Sequence, residues 1–390
     1  MIPRLDESLI GQFRELINSS DIFLKSEKHK ENWNLFCAFM DRIEDAVKVL
    51  ISRELITNEM GKPEDLVIFI VYTDIITESL KKIFDRLGLV NPIANRSDIF
   101  KQIGYGSGTD DKFFKYIRSL SFAHVVDTSR ERAYVSQGEI KYSPFVSNGS
   151  IMDTDKIVIA TYSNIEEYDG NFIRFPKKQL IKYTESRYAL IKYLNEYLKN
   201  ELLTHREAIL KNIIEITDNP LETLSNLRRA SISRYDDDTI RHIDRVLFTL
   251  SYDSVNPMNK TSVEQFKRYI ISLINDFVHL YQVLDERADY HEFRNVFYIQ
   301  CNDKYNLTNY VLPKIREYLS EELYGPNDYE FDPHIVIESN TPSNVLWGFQ
   351  QLKTFKKQLS DKHVNIEYNM PFDEIQLLIS TALYIDNIQS

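Results

Sequence analysis

The chain has 390 residues, 43% apolar and 27% charged, and carries a net charge of −11. A chain of this length spans one large domain or two to three ordinary ones and is long enough to bury roughly three quarters of its unfolded surface. The acidic balance excludes a global positive field that would draw it onto nucleic acid or an anionic membrane, although a local basic groove is compatible with it.

Only 11 residues are glycine, which argues against Gly-rich β architectures and dinucleotide-binding folds and in favour of helix. Cys37 and Cys301 stand far apart and offer neither a disulfide framework nor a paired metal spacing. The opening MIPRLDESLIG has no basic-then-apolar leader pattern, so a reducing cytoplasm is the expected setting. The longest apolar run, Leu66 to Tyr72, is far too short to cross a bilayer, and no membrane association is expected.

Trp33 to Glu54 places Trp33, Phe36, Cys37, Met40, Ile43, Val47 and Leu50 on one helical face. Gly61-Lys62-Pro63 breaks the pattern. Pro63 with Glu64 and Asp65 then favours a new helix start, since proline is preorganised there and acids suit the positive end. That helix is expected to run to about Arg86 and to end at Gly88. Its first half is apolar nearly all round, so a central, buried helix is expected, with a strand at Leu66 to Tyr72 as the competing possibility. GYGSG at 104–108 leads to Thr109, Asp110 and Asp111, a cap for a helix from Asp111 to about Val125.

Between about 127 and 176 the pattern alternates. Lys156 to Tyr162 is the best strand in the chain, and Phe172 to Phe175 pairs with it across Asp169-Gly170 as a small β-hairpin. A helix is expected from Lys177 to about Leu203, continuing through Ile213-Ile214 before Asn219-Pro220. Further helices are expected at Thr239 to Leu250, Ser262 to Asp285, Asn309 to Leu323, Ser343 to Leu359 and Phe372 to Ile388, with a short strand at His334 to Glu338. The expected fold is therefore mainly α, with a boundary near 205–220.

Phosphate loops of the GxxxxGK[ST] kind, HExxH, CxxC, GxSxG and EF-hand loops are all missing from the sequence, and the eight histidines are scattered. No metal and no cofactor is expected. Gly104, Gly106 and Gly108 ahead of a helix either cradle a phosphate on consecutive backbone amides or form a plain flexible loop. Arg118-Ser-Leu-Ser-Phe-Ala-His124 is an R-x5-H pattern. Six residues span about 9 Å of helix and leave the side chains about 120° apart. In a straight helix they would not grip one atom. They can share an extended phosphate if the helix end unwinds, or if a second copy supplies the opposite wall.

The R-x(4–6)-H motif at a helix end, within a helical bundle whose central helix bears acids, resembles the HEPN family. The resemblance covers roughly residues 30–205. It implies an N-terminal HEPN-like helical domain, 1–210, with a β insertion near 130–176, followed by a helical C-terminal domain, 211–390, of unknown role. It also implies a metal-independent endoribonuclease of bacterial defence or toxin type that cuts RNA through its own 2′-OH. His124 would serve as general acid or base, Arg118 would hold the phosphate, and Asp74 and Glu78 would support Arg118. Ser119 stands where the family often carries Asn, Asp or His. Such nucleases usually act as homodimers, and the C-terminal half would meet a regulatory protein or trigger.

Lys182, Arg187, Tyr188 and Lys192 lie on a basic, aromatic helix suited to clamping RNA, or equally to an amphipathic core helix with a wet basic face. Arg228, Arg229 and Arg234 before Asp236-Asp237-Asp238 look like a surface charge patch, and His242 like a helix-surface histidine. The competing function is a non-catalytic helical scaffold or a regulatory nucleic-acid- or protein-binding module.

Overall fold

The structure is a computed structural model describing residues 1–100, 108–124, 126, 134, 136–151, 153–165, 171–297, 315, 343–361, 364–367 and 370–389. The chain is mainly helical, with one small antiparallel sheet. It divides into two compact units, Met1–Thr204 and His205–Ser390. Among the described residues no helix is long and apolar enough to cross a membrane.

The first unit opens with α1 (Glu7–Asn18), α2 (Ile22–Lys25), α3 (Trp33–Ser52), α4 (Pro63–Leu87) and α5 (Asp110–Arg118). A sheet of β1 (Lys141–Ser147), β2 (Lys156–Ser163) and β3 (Asn171–Pro176) follows, then α6 (Lys177–Tyr188) and α7 (Leu190–Lys211), within which the chain passes into the second unit. α4 is a helix throughout, and no residue from Asp65 to Leu80 is exposed. It starts at Pro63 and stops at Gly88, whose φ of 65° is the left-handed region glycine adopts without strain. α4 packs on α3, α5, α6 and β1. Its buried Thr73 hydroxyl meets that of Thr184 on α6 at 2.9 Å.

The expected hairpin is present as β2 and β3, with Ala160 opposite Phe172 and Ile157 opposite Phe175. The connecting Asp169-Gly170 lies outside the described residues. The sheet also has a third strand that the pattern did not announce. β1 pairs with β2, with an irregular register between Tyr142 and Phe145. Pro144 lies in that interval and interrupts the alternation that would have marked β1. Ile157, Ile159 and Phe175 are fully buried, whereas Phe145, Tyr162 and Phe172 are exposed.

Two helices differ from expectation. α5 gives way after Arg118 to a π turn, Ser119–Ala123. The expected single helix from Lys177 is split at Ala189 into α6 and α7, a step that no proline or glycine marks. α7 also stops at Lys211 rather than continuing through Ile214. The Ile214 N–H is taken by the Gln282 side chain at 2.7 Å, and its side chain is buried in the second core.

The second unit holds α8 (Pro220–Ser233), α9 (Asp237–Ser251), α10 (Lys260–Gln282), α11 (Glu292–Asn295), α12 (Ser343–Asp361) and α13 (Phe372–Gln389). α8 was not anticipated, because Asn219-Pro220 reads as a stop. Here it is a start, with the Asn219 side chain capping the Leu221 N–H at 3.0 Å. α8 packs on α9, and α10 on α13. Their shared core includes Leu227, Val246, Phe266, Phe277 and Leu378. The helix expected at 309–323 and the strand expected at 334–338 lie outside the described residues, apart from the buried, helical Ile315.

Candidate functional site

α4 and α5 present their charged side chains to one another in register. Arg118 Nη1 donates to Asp74 Oδ1 at 2.8 Å. One turn away, Lys115 Nζ lies 3.8 Å from Glu78 Oε1. The order of pairing, 74 with 118 and 78 with 115, makes the two helices antiparallel across this seam. The Asp74 and Arg118 side chains are 20% and 29% exposed, so a solute can reach a pair that is partly shielded from water. Burial lifts the Asp74 carboxyl above the usual carboxylate range, and Arg118 pulls in the opposite direction. Lys115 was not among the residues singled out from the sequence. Its signal was the spacing itself, with two acids four apart on one helix and two cations three apart on the next.

Beyond Arg118 the helix widens. The His124 N–H donates to the Ser119 carbonyl at 2.8 Å, a five-residue step, and the Ser121 hydroxyl donates to the Ile117 carbonyl at 2.7 Å. Residues i to i+5 bonded in this way make a π turn, a form that occurs mostly as short insertions and often at functional sites. The turn packs against β1. His124 closes it with non-helical backbone angles of −146° and 49°. Its side chain is half-buried rather than sealed in the core. Ser119 is buried. The straight-helix geometry of R-x5-H therefore does not hold here.

The basic, aromatic helix is not a continuous wet face. Lys182 and Lys192 are exposed, but Arg187 and Tyr188 are each only 2% exposed. Tyr188 donates its hydroxyl to the Asp6 carbonyl at 2.7 Å. Arg187 Nε donates to Asp111 Oδ1 at 2.8 Å, and the Tyr183 hydroxyl donates to the same oxygen at 2.8 Å. The guanidinium lies 4.3 Å from the centre of the Tyr183 ring, which stacks on Phe114 at 4.6 Å. Helical period explains the correction: positions 180, 183, 184, 187 and 188 form the buried stripe of α6, so these two residues belong to the core.

Gly108 lies just before α5 against Tyr134, where a Cβ would clash with the ring. Gly104 and Gly106 lie outside the described residues. The Thr109 hydroxyl caps the Lys112 N–H at 3.2 Å. Asp110 turns back to accept the N–H of Phe100 at 3.0 Å. It ties the incoming chain to the helix start.

In the second unit the expected surface charges are partly internal. Asp236 caps α9 through Thr239 and accepts from the Tyr281 hydroxyl at 3.1 Å. Arg234 lies over the Tyr281 ring at 4.1 Å. His242 is not a surface histidine. It packs against Phe293 and Phe297, and burial pulls its pKa down to about 4. Among the described residues no three His, Cys, Asp or Glu side chains group as metal ligands.

Comparison with models of known families, with curated proteins and with solved structures finds no match to this chain.

Proposed function

We propose that this chain is a metal-independent endoribonuclease of HEPN type, of the kind that serves bacterial defence and toxin systems. The observation that carries the reading is the Arg118–Asp74 pair, 2.8 Å across the α4–α5 seam, joined to a half-buried His124 by a π turn. An arginine, a carboxylate that holds it and a histidine six residues further along the chain are groups suited to RNA transesterification.

In that reaction the RNA 2′-oxygen forms a bond to the adjacent phosphorus as the P–O5′ bond breaks. The products are a 2′,3′-cyclic phosphate and a 5′-hydroxyl. Negative charge builds on the non-bridging oxygens, where the Arg118 fork of donors stabilises it. Asp74 positions that fork. Histidine is the side chain suited to proton exchange near neutral pH, and His124 takes the 2′-hydroxyl proton or gives one to the departing O5′. A homodimer supplies a second histidine, so that one takes the proton and the other gives it. The second unit is assigned the role of meeting a regulatory partner or trigger.

The test is RNA cleavage in EDTA by wild type, His124→Ala and Arg118→Ala at matched folding. Cyclic phosphate ends from wild type, with both variants inactive, are the expected result. An inert wild type, or variants that cut as well as wild type, would remove the reading.

A further inference from the structure

The sheet turns one face to the core and leaves the other open. Directly opposed residues of an antiparallel pair share a face, so the register sorts the strands. Val146 with Ile159, and Ile157 with Phe175, lie inward and are buried. Phe145, Ala160 and Phe172 form one outward row across β1, β2 and β3. Tyr162 stands in the next outward row, opposite Tyr142. Arg174 stands in the outward row on the other side, opposite Val158. Phe145, Tyr162 and Phe172 are 53%, 65% and 47% exposed, so a solute reaches all three rings.

Phe145 and Phe172 start about 10 Å apart, two strand spacings, and Ala160 puts only a methyl group between them. The Arg174 guanidinium lies 4.6 Å from the centre of the Phe172 ring. It is exposed and forms no ion pair among the described residues. None of the three strands contains an Asp or Glu. Asp153, in the connection from β1 to β2, is held by Lys156 at 2.7 Å. In a chain of net charge −11, these strands thus set open rings beside an arginine with no acid among them.

We infer that the open face of the sheet is a stacking platform for the bases of single-stranded RNA. Every base has a π face, so it stacks on an exposed ring whatever the sequence, and unpaired RNA is held in this way by aromatic side chains on a sheet. Arg174 meets the backbone phosphate while it stays on Phe172. A second copy of the chain is a poorer occupant, because each Arg174 would face a sheet with no acid to receive it. The platform is also in the right place. β1 packs against the π turn that ends at His124, so a strand laid across the rings lies beside the residues proposed to cut it. The inference rests on the ribonuclease reading only for RNA as the ligand.

The experiment uses the full-length His124→Ala chain, so that RNA is bound without being cut. It is titrated with a labelled single-stranded oligoribonucleotide of about 12 nucleotides, within the range of such sites, and with the same strand paired to its complement. The single strand is expected to bind more tightly than the duplex. Phe145→Ala, Tyr162→Ala and Phe172→Ala, at matched folding, are expected to weaken the single strand by about tenfold each. Phe172→Tyr should bind as the parent chain does and Phe172→Leu should not, because leucine keeps apolar area and loses the π face. Arg174→Ala should lower the salt slope of binding by about one. Equal binding of single strand and duplex, or ring variants that bind as the parent does, overturn the platform. A dimer that Phe172→Ala dissociates in sedimentation, with RNA binding unchanged, overturns it in favour of a second copy. Ring-dependent binding by a chain whose wild type cuts no RNA keeps the platform and removes the nuclease. Cleavage whose KM the ring variants leave unchanged does the reverse.

Discussion

Asp74 and Arg118 stand 44 positions apart in the chain and meet at 2.8 Å across two antiparallel helices. Neither is fully buried, and Thr73, Asp74's chain neighbour, is fully buried against α6. The carboxylate is thus fixed from behind, while the guanidinium it holds keeps a solvent-facing side.

Removing that carboxylate is expected to act on position more than on folding. Asp74→Ala should cost about 1–2 kcal/mol in stability, the range for a partly shielded charged hydrogen bond. On the proposed ribonuclease reading, RNA cleavage in EDTA should fall by up to about 10²-fold, the scale for losing an organised transition-state donor, because Arg118 is no longer held in place. Asp74→Asn retains an acceptor for Arg118 and should recover part of both losses. Urea unfolding and single-turnover cleavage of the same preparations check the two effects separately.

Arg187 and Asp111 form a structural pair, and their substitutions should differ in sign of interaction. Arg187→Ala leaves the Asp111 carboxylate supported by Tyr183 alone and opens a void in the core. A loss of about 3 kcal/mol is expected. The double variant Asp111→Leu with Arg187→Met should lose less than Arg187→Ala does, because no charge is stranded. Hydrogen exchange in α5 and α6 of the full chain measures both.

Gly88 ends α4 with φ at 65°, and a Cβ there would meet no atom within 4 Å. Gly88→Ala should therefore cost only the backbone term, about 1 kcal/mol. A loss several times larger in chemical unfolding would contradict this assignment.

His242 gives the second unit a pH dependence. Burial holds its pKa at about 4 when folded, against about 6.5 when unfolded. Between those values the unfolded chain binds more protons, so stability rises with pH. The contribution is fully present above about pH 6.5, is lost as pH falls and levels off below about pH 4. Its full size is about 3 kcal/mol. Hydrogen exchange in α9 across this range should follow that curve, and His242→Gln should flatten it.

Local patterns located much of this molecule. Pro63 and Gly88 bracket α4 because proline preorganises a helix start and glycine accepts the left-handed stop. The alternation at Lys156 to Tyr162 marked β2. Both signals lie within one segment, and the physics that produces them acts there. β1 escaped because a proline and a register irregularity spoil its alternation, and its pairing partner is needed to define it.

The candidate site divides along the same line. Arg118, His124, Asp74 and Glu78 could be picked out by residue type and spacing, since charge on a helix next to an apolar stripe is visible in one dimension. Which acid meets which cation was set by how α4 and α5 cross. Arg187 and Tyr188 read as a wet, basic surface but lie in the core, because burial depends on which stripe of α6 the other helices cover. The π turn between Arg118 and His124 arises where α5 ends against β1. Chain chemistry marked the candidate groups, and long-range packing decided their partners and their exposure, because contacts across distant segments have no signature in local order.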